Sequence, residues 1–322
     1  DHVAVVDGML AAAGQARHPL DFRSLEGHHD EVRVDLGVYL LANQPAGNRV
    51  RVVLDLDGTM LADTDARDAM LVGDPARAAM GAEMMESVEL ERRQREFVTY
   101  TGRYQGIRLS VVAIGMGAGN AEIAAVELCQ CVDRPTMIRC GTSGGLSQKV
   151  GLGDLVITRA AYRLEDTSLQ YVGEGYPAAA DLEVTLSLIE AADRLGVPYH
   201  LGMTATAAGF YAAQGRDLAG FPPRHPDVLK ELARQGIKNL EMETSCLLTL
   251  ASLRGFRAGA VCAVLASRHD QRFISPEYKE MAERHCMRVG LQAFQNLARL
   301  DRERGAKRYW HPGLRSGSAG SQ

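Results

Sequence analysis

From residue 69 onward, short apolar runs alternate with longer stretches in which apolar residues recur every three or four positions. The short runs, bounded by turn residues, read as buried strands, and the periodic stretches read as amphipathic helices. The pattern predicts strands at 69–72, 97–104, 107–114 and 135–138, another beginning at 153–158, then 199–206 and 258–265. It predicts helices from Pro75 to about Met85, and over 121–131, 181–195, 226–234, 244–253 and 277–300. Gly73-Asp74-Pro75 marks the first strand–helix junction, with glycine at the turn and proline placed for the first helical turn. Strands and helices that alternate in this way predict an α/β protein.

Outside that region the pattern is weaker. Before residue 66, strand signals at 32–36, 38–41 and 50–56 lie among turn clusters such as 44–48. Residues 1–65 are therefore read as an N-terminal extension of undefined structure and 66–300 as the one main domain. The tail at 301–322, rich in Gly, Ser and Arg, is expected to be disordered.

Composition narrows the function classes. The 322 residues are 46% apolar and carry 36 basic against 40 acidic side chains, a net charge of −4. That balance leaves no electrostatic footprint for nucleic acid, so an anionic ligand must be met by a local group of arginines. No run of about 18 apolar residues predicts a membrane span, and no signal-peptide pattern opens the chain. None of the six cysteines forms a CxxC pair, so they read as buried thiols of a cytoplasmic protein.

The candidate chemistry lies at strand ends. Ile138-Arg139-Cys140-Gly141-Thr142-Ser143-Gly144-Gly145 reads as a buried strand opening into a tight loop of small residues. A planar, permanently charged donor beside exposed N–H groups suits an oxyanion, although a plain strand–turn has the same pattern. The Gly73 turn with Arg77 offers a second anion site at a helix start. Gly115-Met116-Gly117-Ala118-Gly119-Asn120 marks a crevice at a strand's carboxyl edge in an open sheet. Phe210 to Arg216 sets an aromatic platform before Gln214 and Arg216, a group fit to stack on a planar ring and bond its edge. Glu241-Met242-Glu243 places two carboxylates where an apolar helix begins, a position also favoured for the helix dipole alone. Asp55-Leu56-Asp57-Gly58-Thr59 resembles the nucleophile motif of haloacid-dehalogenase-type phosphatases, but no downstream lysine and acidic pair completes a magnesium site. No His/Cys/Asp cluster has metal-ligand spacing.

Taken in order, GDPAR at 73–77, REF at 95–97, GMG at 115–117, IRCGTSGG at 138–145, FYAAQGR at 210–216 and EMET at 241–244 resemble the nucleoside phosphorylase family. Within it they are most similar to uridine phosphorylases. The match spans about residues 69–300, with Gly119 and Asn120 departing from the family's usual glycine-rich signature. The resemblance implies one domain with a central mixed, twisted β-sheet flanked by helices. It implies phosphorolysis of a pyrimidine nucleoside, uridine or a 5′-modified uridine, with inorganic phosphate as co-substrate and no other cofactor. Gly73, Arg77, Arg95, Arg139 and Thr142 would hold phosphate, Arg95 from a neighbouring subunit of a homo-oligomer, a dimer or a hexamer of dimers. Ser143, Gly144, Phe210, Gln214, Arg216, Glu241, Met242, Glu243 and Arg268 would contact the nucleoside. Arg139, Arg216 and Glu243 would carry the catalysis. Three other readings remain: a nucleosidase of the same fold, a magnesium-dependent phosphatase using Asp55 and Asp57, and a non-catalytic nucleoside-binding protein.

Uridine phosphorylases commonly place a histidine on the ribose 5′-hydroxyl, just ahead of the strand that leads to the Gly-Asp-Pro turn. Here the span 30–72 holds no histidine, and the nearest are His28 and His29. An intervening insertion would have to fold one of these back into place; if neither returns, a hydroxyl and its replacements are no longer told apart by an unpaired polar group. The expected outcome is that 5′-deoxyuridine and 5′-amino-5′-deoxyuridine are turned over at least comparably to uridine, as side-by-side kcat/KM values would show. A preference for uridine over both of about a hundredfold, roughly 2.7 kcal/mol, would end the idea.

Overall fold

A computed structural model of the chain describes residues 66–314 and, ahead of them, three short strands. The chain divides into two compact units, Asp1–Met60 and Leu61–Gln322. In the first, β1 (Val32–Arg33), β2 (Val38–Leu41) and β3 (Arg51–Leu54) pair antiparallel in that order. Asp55, Asp57, His28 and His29 lie outside the described residues.

The second unit begins with β4 (Asp68–Val72), α1 (Pro75–Glu83), β5 (Ser87–Gln94), β6 (Phe97–Tyr104) and β7 (Ile107–Ala113). There follow α2 (Ala118–Cys131), β8 (Thr136–Gly145), β9 (Leu155–Leu164), β10 (Ala178–Ala179) and α3 (Leu182–Leu195). The chain continues through β11 (Tyr199–Ala207), α4 (Val228–Arg234), β12 (Asn239–Glu241) and α5 (Thr244–Arg254). It closes with β13 (Arg257–Ser267), β14 (Arg272–Phe273) and α6 (Pro276–Arg304).

Eleven strands among the described residues form one mixed sheet, ordered β14-β13-β9-β11-β12-β8-β4-β7-β6-β5, with β10 beside β9. Central strands are buried on both faces, so successive residues enter different cores. Met70 and Val72 pack with Ile138, Leu188 of α3 and Phe294 of α6. Ala69 and Leu71 pack instead with Leu128 of α2 and Leu248 of α5. The expected α/β class, with helices on both faces of a central sheet, is the observed one.

Three features differ from the expectation. The sheet is not open throughout: β13 pairs with both β9 and β8, so β8, β13, β9, β11 and β12 close into a ring. The run 139–145 is not a loop, because β8 continues through Gly145 and pairs along β13 for its whole length. Its glycines admit neighbouring strands: a Cβ on Gly144 would lie 2.8 Å from Arg268 Cγ, and one on Gly141 would lie 2.9 Å from Cys262 Sγ. The unforeseen β5 is a mostly exposed edge strand whose apolar residues, Val88 and Leu90, alternate with glutamates over too short a run to mark it. Arg103 of β6 and Arg108 of β7 both bond Glu89 of β5, at 3.0 and 2.7 Å. Among the described residues, no helix is long and apolar enough to cross a membrane.

The tail is also ordered further than its composition suggests. α6 runs on to Arg304, and Trp310 is buried with its indole Nε1 donating to Glu303 at 2.7 Å. The Trp310 main-chain N–H donates to Glu183 of α3 at 3.0 Å, and Arg304 bonds the same carboxylate. One aromatic side chain with two anchored ends outweighs the local Gly and Ser signals; residues 315–322 lie outside the described residues. Trp310→Ala is expected to destabilise the chain by about 3 kcal/mol in urea denaturation. A loss below about 1 kcal/mol would show that the segment only rests on the surface.

Candidate active site

Strands β7, β4, β8 and β13 are successive parallel neighbours in the sheet, so their carboxyl ends share one edge. That edge collects Gly115, Gly73, the 139–145 run and Arg268. β12 runs antiparallel against Gly144 and Gly145, which turns Glu241 and Glu243 back toward Arg139.

Arg139 is the centre of this group. It is 3% exposed, its Nε donates to Glu241 Oε2 at 3.1 Å, and its Nη2 donates to Glu243 Oε2. Burial works against its charge, but the Glu243 and Glu241 carboxylates outweigh it and raise the pKa further above the ordinary value. The guanidinium is therefore a fixed cation. Its Nη1 is buried with no partner, a donor aimed at something the protein itself does not supply.

The two carboxylates have different work. Both Glu241 oxygens are taken: by Arg139, by the Glu243 and Thr244 main-chain N–H groups, and by Thr206 Oγ1 at 2.6 Å. Glu241 thus fastens Arg139 to the start of α5 and has little left for a nucleoside. Glu243, the N-cap of α5, receives the Gly117 N–H on Oε1 at 2.6 Å and the Met242 N–H on Oε2 at 3.2 Å. An oxygen accepting a single bond keeps a lone pair for a sugar hydroxyl. Desolvation raises the Glu243 pKa, with Arg139 pulling the other way and Glu241 adding to the rise. Gly117 serves because its φ of 99° lies where other residues strain, so it can turn its N–H toward the carboxylate.

Arg77 reaches the same strand from α1. Its Nη1 approaches the Cys140 carbonyl at 3.5 Å and its Nε bonds Asp74 at 2.7 Å, while Glu283 of α6 stands 4.0 Å away. A Cβ on Gly73 would lie 2.5 Å from the Arg77 Nη2, so glycine is needed for the guanidinium to lie against the turn. Asp74 caps α1 and already accepts the Arg77 N–H at 3.0 Å. The helix start is therefore occupied by its own carboxylate, and the anion-binding capacity lies in the Arg77 side chain instead.

At the far end of β8, Gly144 backs onto Arg268, whose Nη2 donates to the Gln214 carbonyl at 3.4 Å. Gln214 is buried, and Arg216 lies 4.3 Å above the Phe210 ring with its Nε donating to the Phe210 carbonyl at 2.9 Å. Burial lowers the Arg268 pKa, and the neighbouring Arg216 charge lowers it further. Neither arginine is paired with a carboxylate among the described residues, and Arg268 Nε is a second buried donor without a partner. Two facing cations beside an aromatic ring suit a planar ligand with oxygens at its edge.

Thr142 of β8 and Met242, which separates Glu241 from Glu243 along the chain, are partly exposed, whereas Ser143 is buried. The Ser143 hydroxyl accepts from Asn239 at 3.0 Å and is spent within the sheet. Arg95 stands at the exposed tip of the β5–β6 hairpin with a φ of 52°. Asp74, Thr206, the Gly117 N–H and Glu283 carry no signal of their own in the family motifs: Gly117 and Glu283 meet partners more than 100 residues away, and Thr206 meets Glu241 35 residues on. The exception is Asp74, whose Asp-Pro pair signals a cap. Among the described residues, no group of three or more His, Cys, Asp or Glu side chains is placed to hold a metal.

Glu241→Gln keeps the shape but leaves Arg139 with one carboxylate and sets an amide donor against the α5 N–H groups. The expected loss is about 3 kcal/mol of stability, measured by chemical denaturation, as for other broken buried pairs. Wild-type stability in this variant would show that Glu241 is not what fastens Arg139.

Residues 67–291 match the profile of the Phosphorylase superfamily. The chain is 42% identical over 254 residues to a uridine phosphorylase of Thermococcus kodakarensis, covering 78% of this chain and 90% of that protein. It is 33% identical over 246 residues to the uridine phosphorylase of Escherichia coli, covering 76% and 94%. A solved nucleoside phosphorylase from Trypanosoma brucei, described as showing uridine phosphorylase activity, superposes with a TM-score of 0.66 at 26% identity, covering 71% of this chain and 93% of that one. A profile match over most of the chain, with relatives at 33–42% identity over three quarters of it, shows that the chain belongs to the Phosphorylase superfamily.

Proposed function

We propose that the chain catalyses phosphorolysis of uridine, or of a uridine altered at its 5′ carbon, to uracil and a pentose 1-phosphate. Inorganic phosphate is the co-substrate, and the chemistry calls for no metal or organic cofactor. The observation that supports this most is one strand, β8, with a buried unpaired Arg139 donor near its middle and the Arg268–Arg216 pair beside its end.

In this reading Gly73, Arg77, Arg139 and Thr142 hold phosphate on one face of the sugar. Met242 packs beneath the ribose and Glu243 accepts from its hydroxyls. Phe210 stacks on uracil, while Gln214, Arg216 and Arg268 bond its polar edge. The C1′–N1 bond breaks with its electron pair moving into the uracil ring, and a phosphate oxygen bonds C1′ in its place. Arg216 and Arg268 meet the charge developing on uracil, and the phosphate arginines hold the attacking anion in line.

The test is a panel of nucleosides incubated with and without phosphate, with the released bases separated by chromatography. Release of uracil only with phosphate, unaffected by EDTA, is expected. Equal release without phosphate indicates hydrolysis, and abolition by EDTA indicates a metal-dependent enzyme; either overturns the proposal.

The functional unit is proposed to be a homo-oligomer in which Arg95, exposed at its hairpin tip, completes a neighbour's phosphate site. Arg95→Ala and Glu243→Ala enzymes should each be nearly inactive yet recover activity when co-assembled. No recovery in verified mixed oligomers would contradict shared sites.

A further inference from the structure

A third buried carboxylate stands outside the cluster just described. Glu165, directly after β9, is 3% exposed. Its Oε2 accepts the Ser168 N–H at 2.8 Å, and its Oε1 accepts the hydroxyls of Ser168 and, at 2.7 Å, Ser245. Ser168 Oγ is in turn held by Arg163 Nε at 3.0 Å. Arg163 also ties down the 173–176 turn through the carbonyls of Gly173 and Tyr176, at 2.8 and 2.9 Å.

Ser245 is the second residue of α5, the helix whose N-cap is Glu243. Its main-chain N–H donates to Thr206 Oγ1 at 2.9 Å, and that hydroxyl donates to Glu241 Oε1 at 2.6 Å. An unbroken polar line therefore runs from Arg163 through Ser168, Glu165, Ser245, Thr206 and Glu241 to Arg139. Every oxygen at Glu165 faces a donor. A carboxylate accepts from all three at once, whereas an amide would be satisfied only if both hydroxyls turned round to accept from its NH₂ group.

From this line we infer that Glu165 is a positioning residue for the nucleoside. By fixing Ser245 it holds the first turn of α5 in the register that brings Met242 and Glu243 to the sugar, while Arg77 and Arg139 approach phosphate from α1 and β8. Ser168 and Arg163 keep Glu165 itself in place. The inference rests on the phosphorolysis reading and adds to it a residue that touches neither substrate.

Glu165→Gln, Ser245→Ala and the double variant, made in the full chain, separate this role from a general loss of fold. A merely weakened protein has fewer active molecules, so kcat falls while both KM values stay put. A misplaced α5 turn should instead raise the KM for uridine about tenfold and change the KM for phosphate less than about twofold. Because both side chains act on one path, the double variant should be no worse than the worse single one. If Glu165→Gln does not fold, Ser245→Ala, which removes one hydroxyl, decides the question by the same split. An active wild type whose uridine KM is unmoved in Ser245→Ala, or multiplicative effects in the double variant, would overturn the inference alone. A wild type that releases no uracil in phosphate would overturn the phosphorolysis reading, and this inference with it.

Discussion

The arrangement depends on a single buried cation held by two carboxylates. A guanidinium taken out of water is strongly disfavoured unless it is paired and its donors are satisfied. Glu241 and Glu243 do most of this for Arg139, from two positions on either side of Met242. They do not do all of it, since Nη1 remains without a partner. The protein therefore keeps a charged donor dry and aimed, where an anion gains more from it than it would in water. Glu241 is itself held by the first N–H groups of α5, so the helix start and the cation stabilise each other.

β8 makes this geometry possible because it is central and thin at once. Its apolar half, with Met137 and Ile138, is buried on both faces and fixes the strand among β4 and β13. Its second half carries Gly141, Gly144 and Gly145, which let Arg139, Cys262, Val264 and Arg268 approach the backbone. Larger residues there would push away the side chains that form the site. The ring closed by β13 then brings β12 to the end of β8, and with it both carboxylates.

What was legible in the chain follows the same physics. β4 and β13 stand out because burial on both faces demands continuous apolar runs, and α3 because one face is buried and the other is wet. The family motifs named Arg77, Arg139, Gln214, Arg216 and Glu243, and the structure gathers these along the same sheet edge. The continuation of β8 through its glycines was not legible, because glycine in quantity signals a turn unless a neighbouring strand is known to need the space. β5 was hidden by its charge, and Trp310 by the Gly- and Ser-rich residues beyond it. Ser143 and Glu241 look available in the sequence, yet both are spent on partners, Asn239 and Thr206, that only the folded chain brings near. Glu165 is the extreme case: an acidic residue in a polar loop, whose place becomes clear only when Ser245, 80 residues away, is beside it.

The free Arg139 donor admits a direct test. A crystal structure of the full chain grown with phosphate should show a phosphate oxygen about 2.7–2.9 Å from Arg139 Nη1, with the Glu241 and Glu243 pairs intact. Phosphate bound away from Arg139, or an Nη1 still unpartnered beside a bound phosphate, would contradict the role assigned to the buried cation.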